Sequence, residues 1–271
     1  MDARALLQKA EEIAREAGEL LLEQAKRPLE IREKGAIDLV TSADQASERL
    51  ILERIRSAYP DHDILSEESA GNVNRASSGA MWIVDPLDGT TNYAHGLPIW
   101  AVSIACLVNG NMLAGVVFDP TREECFTAAR GMGAHLNGEP IRVSSRVQLG
   151  EALLVTGFPY DVQTSEVDNL DHFAQFTKRS RAVRRLGSAA IDLVSVACGR
   201  FDGFWELKLH PWDVAAGALI VEEAGGKVVN FDGLPFDPFS EEIVASNPFL
   251  VGPMTAVLSQ GRRPLGERAS P

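Results

Sequence analysis

The chain has 271 residues, 45% of them apolar and 24% charged, a composition that suits one large folded unit and excludes a disordered chain. Its formal net charge is −12 and no basic stripe runs along it, which argues against direct nucleic-acid binding. The opening MDARALLQKAEEIAREAG is charged throughout and no apolar run nears the roughly 20 residues of a membrane span, so neither a secretion signal nor a membrane helix is expected, and the expected location is cytoplasmic.

Leu6, Leu7, Ala10, Ile13, Ala14, Ala17, Leu20 and Leu21 recur at helical spacing and predict an amphipathic first helix ending before Pro28. Residues 29–40 read as strand and loop. A second helix is predicted from Thr41 or Ser42 to about Tyr59, with Leu50, Ile51 and Ile55 inward and Thr41-x-x-Asp44 as its capping signal. Residues 63–65 form a short strand that runs into Ser66-Glu67-Glu68-Ser69, and the polar stretch 70–80 reads as a loop. Met81 to Val84 is a buried strand that ends at Asp85. From Ile99 to Leu136 the chain reads as strands separated by turns, with Asn109-Gly110 the strongest hairpin signal.

The second half alternates. Strands are predicted at 152–156, 182–186 and 203–207, and helices at 167–179, 188–198 and 212–224, the last stopped by Gly225-Gly226. Such alternation after a strand-rich half predicts a layered α/β (α+β) architecture. A single catalytic unit over 1–271 is expected, with a strand-rich half to about 140, an α/β half over 141–260 and a flexible tail at 261–271; the boundary falls in the compositional break at 138–150. Cys106, Cys125 and Cys198 are odd in number and form no CxxC, which reads as reduced thiols. The basic run Lys178, Arg179, Arg181, Arg184, Arg185 reads as a solvated helix end and loop.

The chemistry concentrates in Trp82 to Asn92, WIVDPLDGTTN. An apolar strand delivers Asp85 and Asp88 across a proline-stiffened turn, with the Leu87 carbonyl between them. Two carboxylates aimed at one spot are unfavourable unless a cation or a proton lies between them. Oxygen donors of this kind select Mg²⁺, Mn²⁺ or Ca²⁺ over zinc. Gly89-Thr90-Thr91 then opens a helix whose free amide N–H groups suit a phosphate. The plainer reading is that Asp85-Pro86 and Asp88-Gly89 are turn formers. Likewise Asp44 and Asp213 sit where a helix cap favours an acid, and the five histidines, His210 among them, read as structural.

This string resembles the signature of the inositol monophosphatase family, and three further segments match in order: residues 38–44 (DLVTSAD), 66–69 (SEES) and 212–226 (WDVAAG running on to EAGG). The resemblance implies an αβαβα sandwich of the sugar-phosphatase type and a lithium-sensitive phosphomonoesterase using two to three Mg²⁺ ions, with Mn²⁺ as the alternative. It implies that Glu67, Asp85 and the Leu87 carbonyl hold one cation and that Asp85, Asp88 and Asp213 hold a second. A weaker third lies near Glu67, with Asp44 reaching it through water. It implies that Gly89 and Thr90 bind phosphate through their amides, and that Thr90 with Asp44, or Glu67, deprotonates the attacking water. Gly187, Ser188, Ala189 and Glu206 match positions that contact substrate hydroxyls, and Asp88 and Asp213 also border the substrate. Lys34 is a candidate neighbour of the metal loop.

Direct in-line attack by water activated by the bound cations, without a phosphoenzyme, is the expected mechanism. Inositol 1-phosphate is the first substrate expected of a small sugar or polyol phosphate. Fructose 1,6-bisphosphate and histidinol phosphate are alternatives, and a regulatory binding role in transcription complexes is the alternative from another class. A homodimer is the family's habit. Ser66, Tyr93 and Trp100 depart from the commonest family pattern without removing a ligand.

Overall fold

A computed structural model of the chain describes residues 1–27, 31–33, 39–69 and 79–260. Asp38 and Lys34, most of the stretch 29–40, the loop 70–78 and the tail 261–271 lie outside these residues. Helix α1 (Ala3–Gln24) leads to strands β1 (Ile31–Glu33) and β2 (Leu39–Thr41), which pair antiparallel, then to helix α2 (Ser42–Ala58) and strand β3 (Asp63–Ser66). Strand β4 (Ala80–Asp88) runs into helix α3 (Thr90–Ala94), and four strands follow: β5 (Ala101–Val108), β6 (Asn111–Asp119), β7 (Glu124–Ala129) and β8 (Ala134–Leu136). After β9 (Glu139–Pro140) come β10 (Leu153–Thr156), α4 (Leu170–Arg179), β11 (Ala182–Arg184), α5 (Ala189–Ala197) and β12 (Gly203–Leu207). The described chain closes with α6 (Pro211–Glu223), β13 (Lys227–Val229), β14 (Glu242–Ser246) and α7 (Val251–Leu258).

Two sheets carry the architecture. The first has seven strands in chain order, β3 to β9, with β3 and β4 parallel and the other pairs antiparallel. The second has five strands in the order β11-β10-β12-β14-β13; β10 is parallel to β11 and β12, and β14 is antiparallel to both neighbours.

Alternation along each strand places the layers. In β4, Trp82 and Val84 pack with α1 and α2, while Met81 and Ile83 pack with α5 and α6. In β12, Phe204 faces α5 and α6, while Trp205 faces α4 and α7, and in β14 Ile243 and Ala245 oppose Val244 in the same way. The order is therefore α1/α2, sheet, α5/α6, sheet, α4/α7, the αβαβα sandwich expected. Because α5 and α6 are covered on both sides, they read as apolar all round rather than as amphipathic stripes, and every residue of α5 is buried.

The local expectations hold with a few corrections. Thr41 caps α2 through a capping box with Asp44, and Asn109 and Gly110 both take positive φ in the β5–β6 hairpin. On α2, Ile51 and Ile55 are fully buried as expected, and Leu50 is half-buried against the same core. Helix α4 begins at Leu170 rather than 167, because buried Asn169 leaves helical space at φ 71. Its amide donates to Thr156 Oγ1 and the Gly157 carbonyl, and its Oδ1 accepts from Trp205 Nε1. Strand β4 does not stop at Val84 but continues to Asp88, with all nine residues buried.

Candidate active site

The extra length of β4 is what brings its two aspartates together. In a regular strand, residues three apart point to opposite faces. Here Asp85 pairs with Ser103 while Asp88 pairs with Ala101, so β4 holds one residue more than β5 between the two pairs. This bulge falls at Pro86, which has no N–H to give the ladder. It turns Asp88 back to the face of Asp85, toward α5. Ser47 Oγ on α2 donates to the Pro86 carbonyl at 2.8 Å and pins the bulge from behind.

Beyond the bulge, Gly89 takes φ +94, and a Cβ there would lie 2.9 Å from the Ile99 carbonyl oxygen. Helix α3 has only five residues, so what it offers an anion is its unpaired first amides rather than a large dipole. Asn92 Nδ2 donates to the Ile99 carbonyl at 2.8 Å and the Leu186 carbonyl at 2.9 Å, and Tyr93 Oη donates to the Leu21 carbonyl at 2.7 Å. The three bonds fix α3 against the loop that leads into α5 and against α1.

Asp88 sits at the start of α5, where Ser188 Oγ and the Ala190 amide both donate to its Oδ2. Burial nonetheless raises its pKa to about 6. Asp85 is 1% exposed and receives one hydrogen bond, from the Leu87 amide at 3.0 Å. Burial, then the charges of Glu67, Asp88 and Asp213, hold its carboxyl well above the usual range. Asp213, in the first turn of α6, is pushed up by burial and then by Glu67; its Oδ2 accepts from the His210 amide at 2.6 Å, so it is a helix cap as well. Among the described residues neither Asp85, Asp88 nor Asp213 forms an ion pair with a lysine or arginine.

These groups line one pocket of about 290 Å³ together with Leu87, Gly89, Thr90, Gly187, Ser188, Ala189 and Glu206. Every described residue nominated from sequence as a ligand or substrate contact is in its wall except Asp44. That carboxylate is fully buried behind the wall: Thr90 Oγ1 donates to its Oδ1 at 2.8 Å, and Thr41 Oγ1 and the Thr41 amide donate to its Oδ2. Burial raises its pKa against the pull of those bonds. Asp44 therefore reaches the pocket through the Thr90 hydroxyl.

A cluster of repelling carboxylates with no cationic side chain on Asp85, Asp88 or Asp213, plus a backbone carbonyl, is the donor set of a hard divalent cation. Among the described residues no three His, Cys, Asp or Glu side chains close into a ready-made ligand cluster; the acids face a shared space rather than one point.

The profile of the inositol monophosphatase family matches residues 2–261. The chain belongs to the inositol monophosphatase family. It is 46% identical over 247 residues to a Synechocystis protein named inositol-1-monophosphatase, covering 91% of this chain and 86% of that one. It is 48% identical over 228 residues to a Pseudomonas aeruginosa protein named Nus factor SuhB, covering 81% and 83%. The solved inositol monophosphatase of Anabaena superposes with a TM-score of 0.87 at 43% identity, over 97% of this chain and 98% of that one. As a member of the inositol monophosphatase family the protein is a phosphatase, and the family works with divalent metals. No described helix is long and apolar enough to cross a membrane.

Several wall residues of this family member were not nominated from its sequence. Arg185 read as part of a solvated basic run, but it lines the pocket while remaining exposed at its rim. For Asp192 the sequence does hold a signal, a lone charge in the mostly apolar segment AAIDLVSVA. Phe158, Tyr160 and Leu209 also line the pocket, and nothing in their local sequence separates them from loop residues.

Proposed function

We propose that this pocket hydrolyses the phosphate monoester of a small sugar or polyol, with inositol 1-phosphate as the first candidate and Mg²⁺, or in its place Mn²⁺, as cofactor. The observation that carries the reading is the β4 bulge, which turns Asp85 and Asp88 to one face beside the first amides of α3, with Glu67 and Asp213 bordering the same space. Glu67, Asp85 and the Leu87 carbonyl would hold one cation, and Asp85, Asp88 and Asp213 a second; a third would lie near Glu67. When bound, such cations neutralise phosphate charge and make water acidic enough to supply hydroxide near neutral pH.

The chain's own groups do the rest. The Gly89 and Thr90 amides bind and orient the phosphate. The Thr90 hydroxyl accepts a proton at its oxygen while passing its own to Asp44 Oδ1, a relay the existing 2.8 Å bond already aligns. Glu67, the other candidate base, borders the same space. Glu206 with Ser188 and Ala189 faces the part of the substrate that leaves. A volume of about 290 Å³ suits a single ring with its phosphate.

The test is phosphate release from inositol 1-phosphate, fructose 1,6-bisphosphate and histidinol phosphate at saturating Mg²⁺, and again with added Li⁺. Fast release from the first and its loss in Asp88→Asn, with the fold retained by circular dichroism, support the reading. Near-normal turnover by Asp88→Asn refutes the assignment of the site. The name Nus factor on one relative favours a second reading, a transcription-complex role that uses the surface instead. Transcription proteins that co-purify equally with Asp88→Asn would show it. The expected homodimer is tested by sedimentation.

A further inference from the structure

On the side of the five-stranded sheet, beyond Asp88, two more carboxylates close the pocket. Glu206 is the penultimate residue of β12, and Asp192 stands one turn into α5; they are 7% and 1% exposed. Asp192 feels the charges of Glu206 and Asp88, and Glu206 feels that of Asp88. Asp192 Oδ1 is buried and receives no hydrogen bond. No hydrogen bond is donated to the Glu206 carboxylate among the described residues either. Among the described residues Arg185 is the one cation acting on both, and it does so from the exposed rim without a hydrogen bond to either.

The arrangement is built rather than incidental. A Cβ on Gly157 would fall 2.2 Å from Glu206 Oε1, so the bare backbone there makes the room the carboxylate occupies. Asp192 is the only charged residue in a helix whose every residue is buried. An acid left in such a place without donors destabilises the fold and is kept only where something outside the chain completes it. Asx and turn geometry give no account of it, since the Asp192 amide is already bonded within the helix, to the Ser188 carbonyl at 3.0 Å.

We propose that Asp192 is a specificity-determining residue, which with Glu206 accepts hydrogen bonds from two neighbouring hydroxyls of the leaving group, so that the enzyme selects phosphate esters of vicinal polyols. The inference rests on the phosphatase reading above. It differs from a cation site in the donors it needs: hydroxyl hydrogens, supplied only by the substrate.

The experiment compares kcat/KM for inositol 1-phosphate with that for p-nitrophenyl phosphate, which has no hydroxyl, in the wild type, Asp192→Ala and Asp192→Asn at saturating Mg²⁺. The ratio of the two should fall about 10- to 100-fold in Asp192→Ala, the scale of one charged hydrogen bond to a substrate hydroxyl. Inositol phosphates lacking one hydroxyl beside the ester should lose the same factor in the wild type and little further in the variant. The near-isosteric Asp192→Asn should melt no lower than the wild type, because it removes an unpaired buried charge. An unchanged ratio, or a lower melting temperature with both substrates slowed alike, overturns the proposal in favour of a structural role. A raised Mg²⁺ requirement with the ratio intact overturns it in favour of a cation site. A wild type that releases phosphate from neither ester sinks the phosphatase reading itself, which separates the two failures.

Discussion

Thr90 shows how one side chain can join two layers of the site. It lines the pocket, and its hydroxyl is held to Asp44, which is itself the capping acid of α2. Replacing the hydroxyl should therefore damage chemistry more than binding. Thr90→Val is expected to lower kcat by about 10²- to 10⁴-fold, the usual contribution of a positioned proton acceptor, with KM little changed, while Thr90→Ser keeps most of the rate; steady-state phosphate release decides. Glu206 makes a different prediction. Burial raises its pKa to about 8 from an ordinary 4.5. The folded form thus holds a proton that the unfolded chain has released, and in metal-free protein stability must fall as pH rises from about 4.5 to about 8. Glu206→Gln should flatten that part of the curve of melting temperature against pH. An unchanged slope in the variant would show that Glu206 is not the titrating group.

At the scale of elements, the junction of β4 and α3 holds the site through backbone shape. Gly89→Ala puts a Cβ into left-handed φ and 2.9 Å from a backbone carbonyl that Asn92 also binds. The strain is about 1–2 kcal/mol for the conformation alone, so a fall in melting temperature of a few degrees is expected. The loss of kcat/KM should exceed 10²-fold, because the amides proposed to bind phosphate move with the turn; calorimetry and phosphate release on the same preparation compare the two. This junction was legible in WIVDPLDGTTN, since Pro, Gly and the paired acids are local signals. The bulge was not, because it exists only against the register of β5. Asp192 was missed for a related reason: a single acid in an apolar helix says that a partner is needed, but the pocket that supplies the setting is assembled from β12, α5 and the loop at Gly157. Strands β13 and β14 and helix α7 went unassigned. The two strands are three and five residues long, and β14 takes its place between β12 and β13 through pairing distant in sequence. The layers themselves were readable, because strand and helix periods differ and the two central helices betray their double burial by being apolar all round.

For the molecule as a whole, an excess of twelve negative charges and a pocket walled by carboxylates act in the same direction. Closing the sandwich gathers acids that the unfolded chain keeps apart, so folding without cations works against their repulsion. Asp85, Asp88 and Asp213 are all raised by burial first, Asp88 to about 6 from 3.8, and at Asp85 and Asp213 the charges of Glu67 and Asp88 add to it. Protons relieve that repulsion at low pH and divalent cations relieve it at higher pH, where the ligands are ionised. Mg²⁺ should therefore raise the melting temperature, and the gain should grow as pH rises from about 4 toward 8. At a concentration a hundred times its dissociation constant a ligand adds about 2.7 kcal/mol, or on the order of 5–10 °C for a chain of this size. Differential scanning calorimetry with EDTA, Mg²⁺ and Na⁺ at matched ionic strength measures it, the Na⁺ arm accounting for general screening of a surface whose exposed ion pairs each contribute little. In Asp85→Asn the gain should shrink sharply while the metal-free melting temperature rises, because the same substitution removes both a ligand and a source of repulsion. Equal gains in variant and wild type would place the cation elsewhere on the molecule.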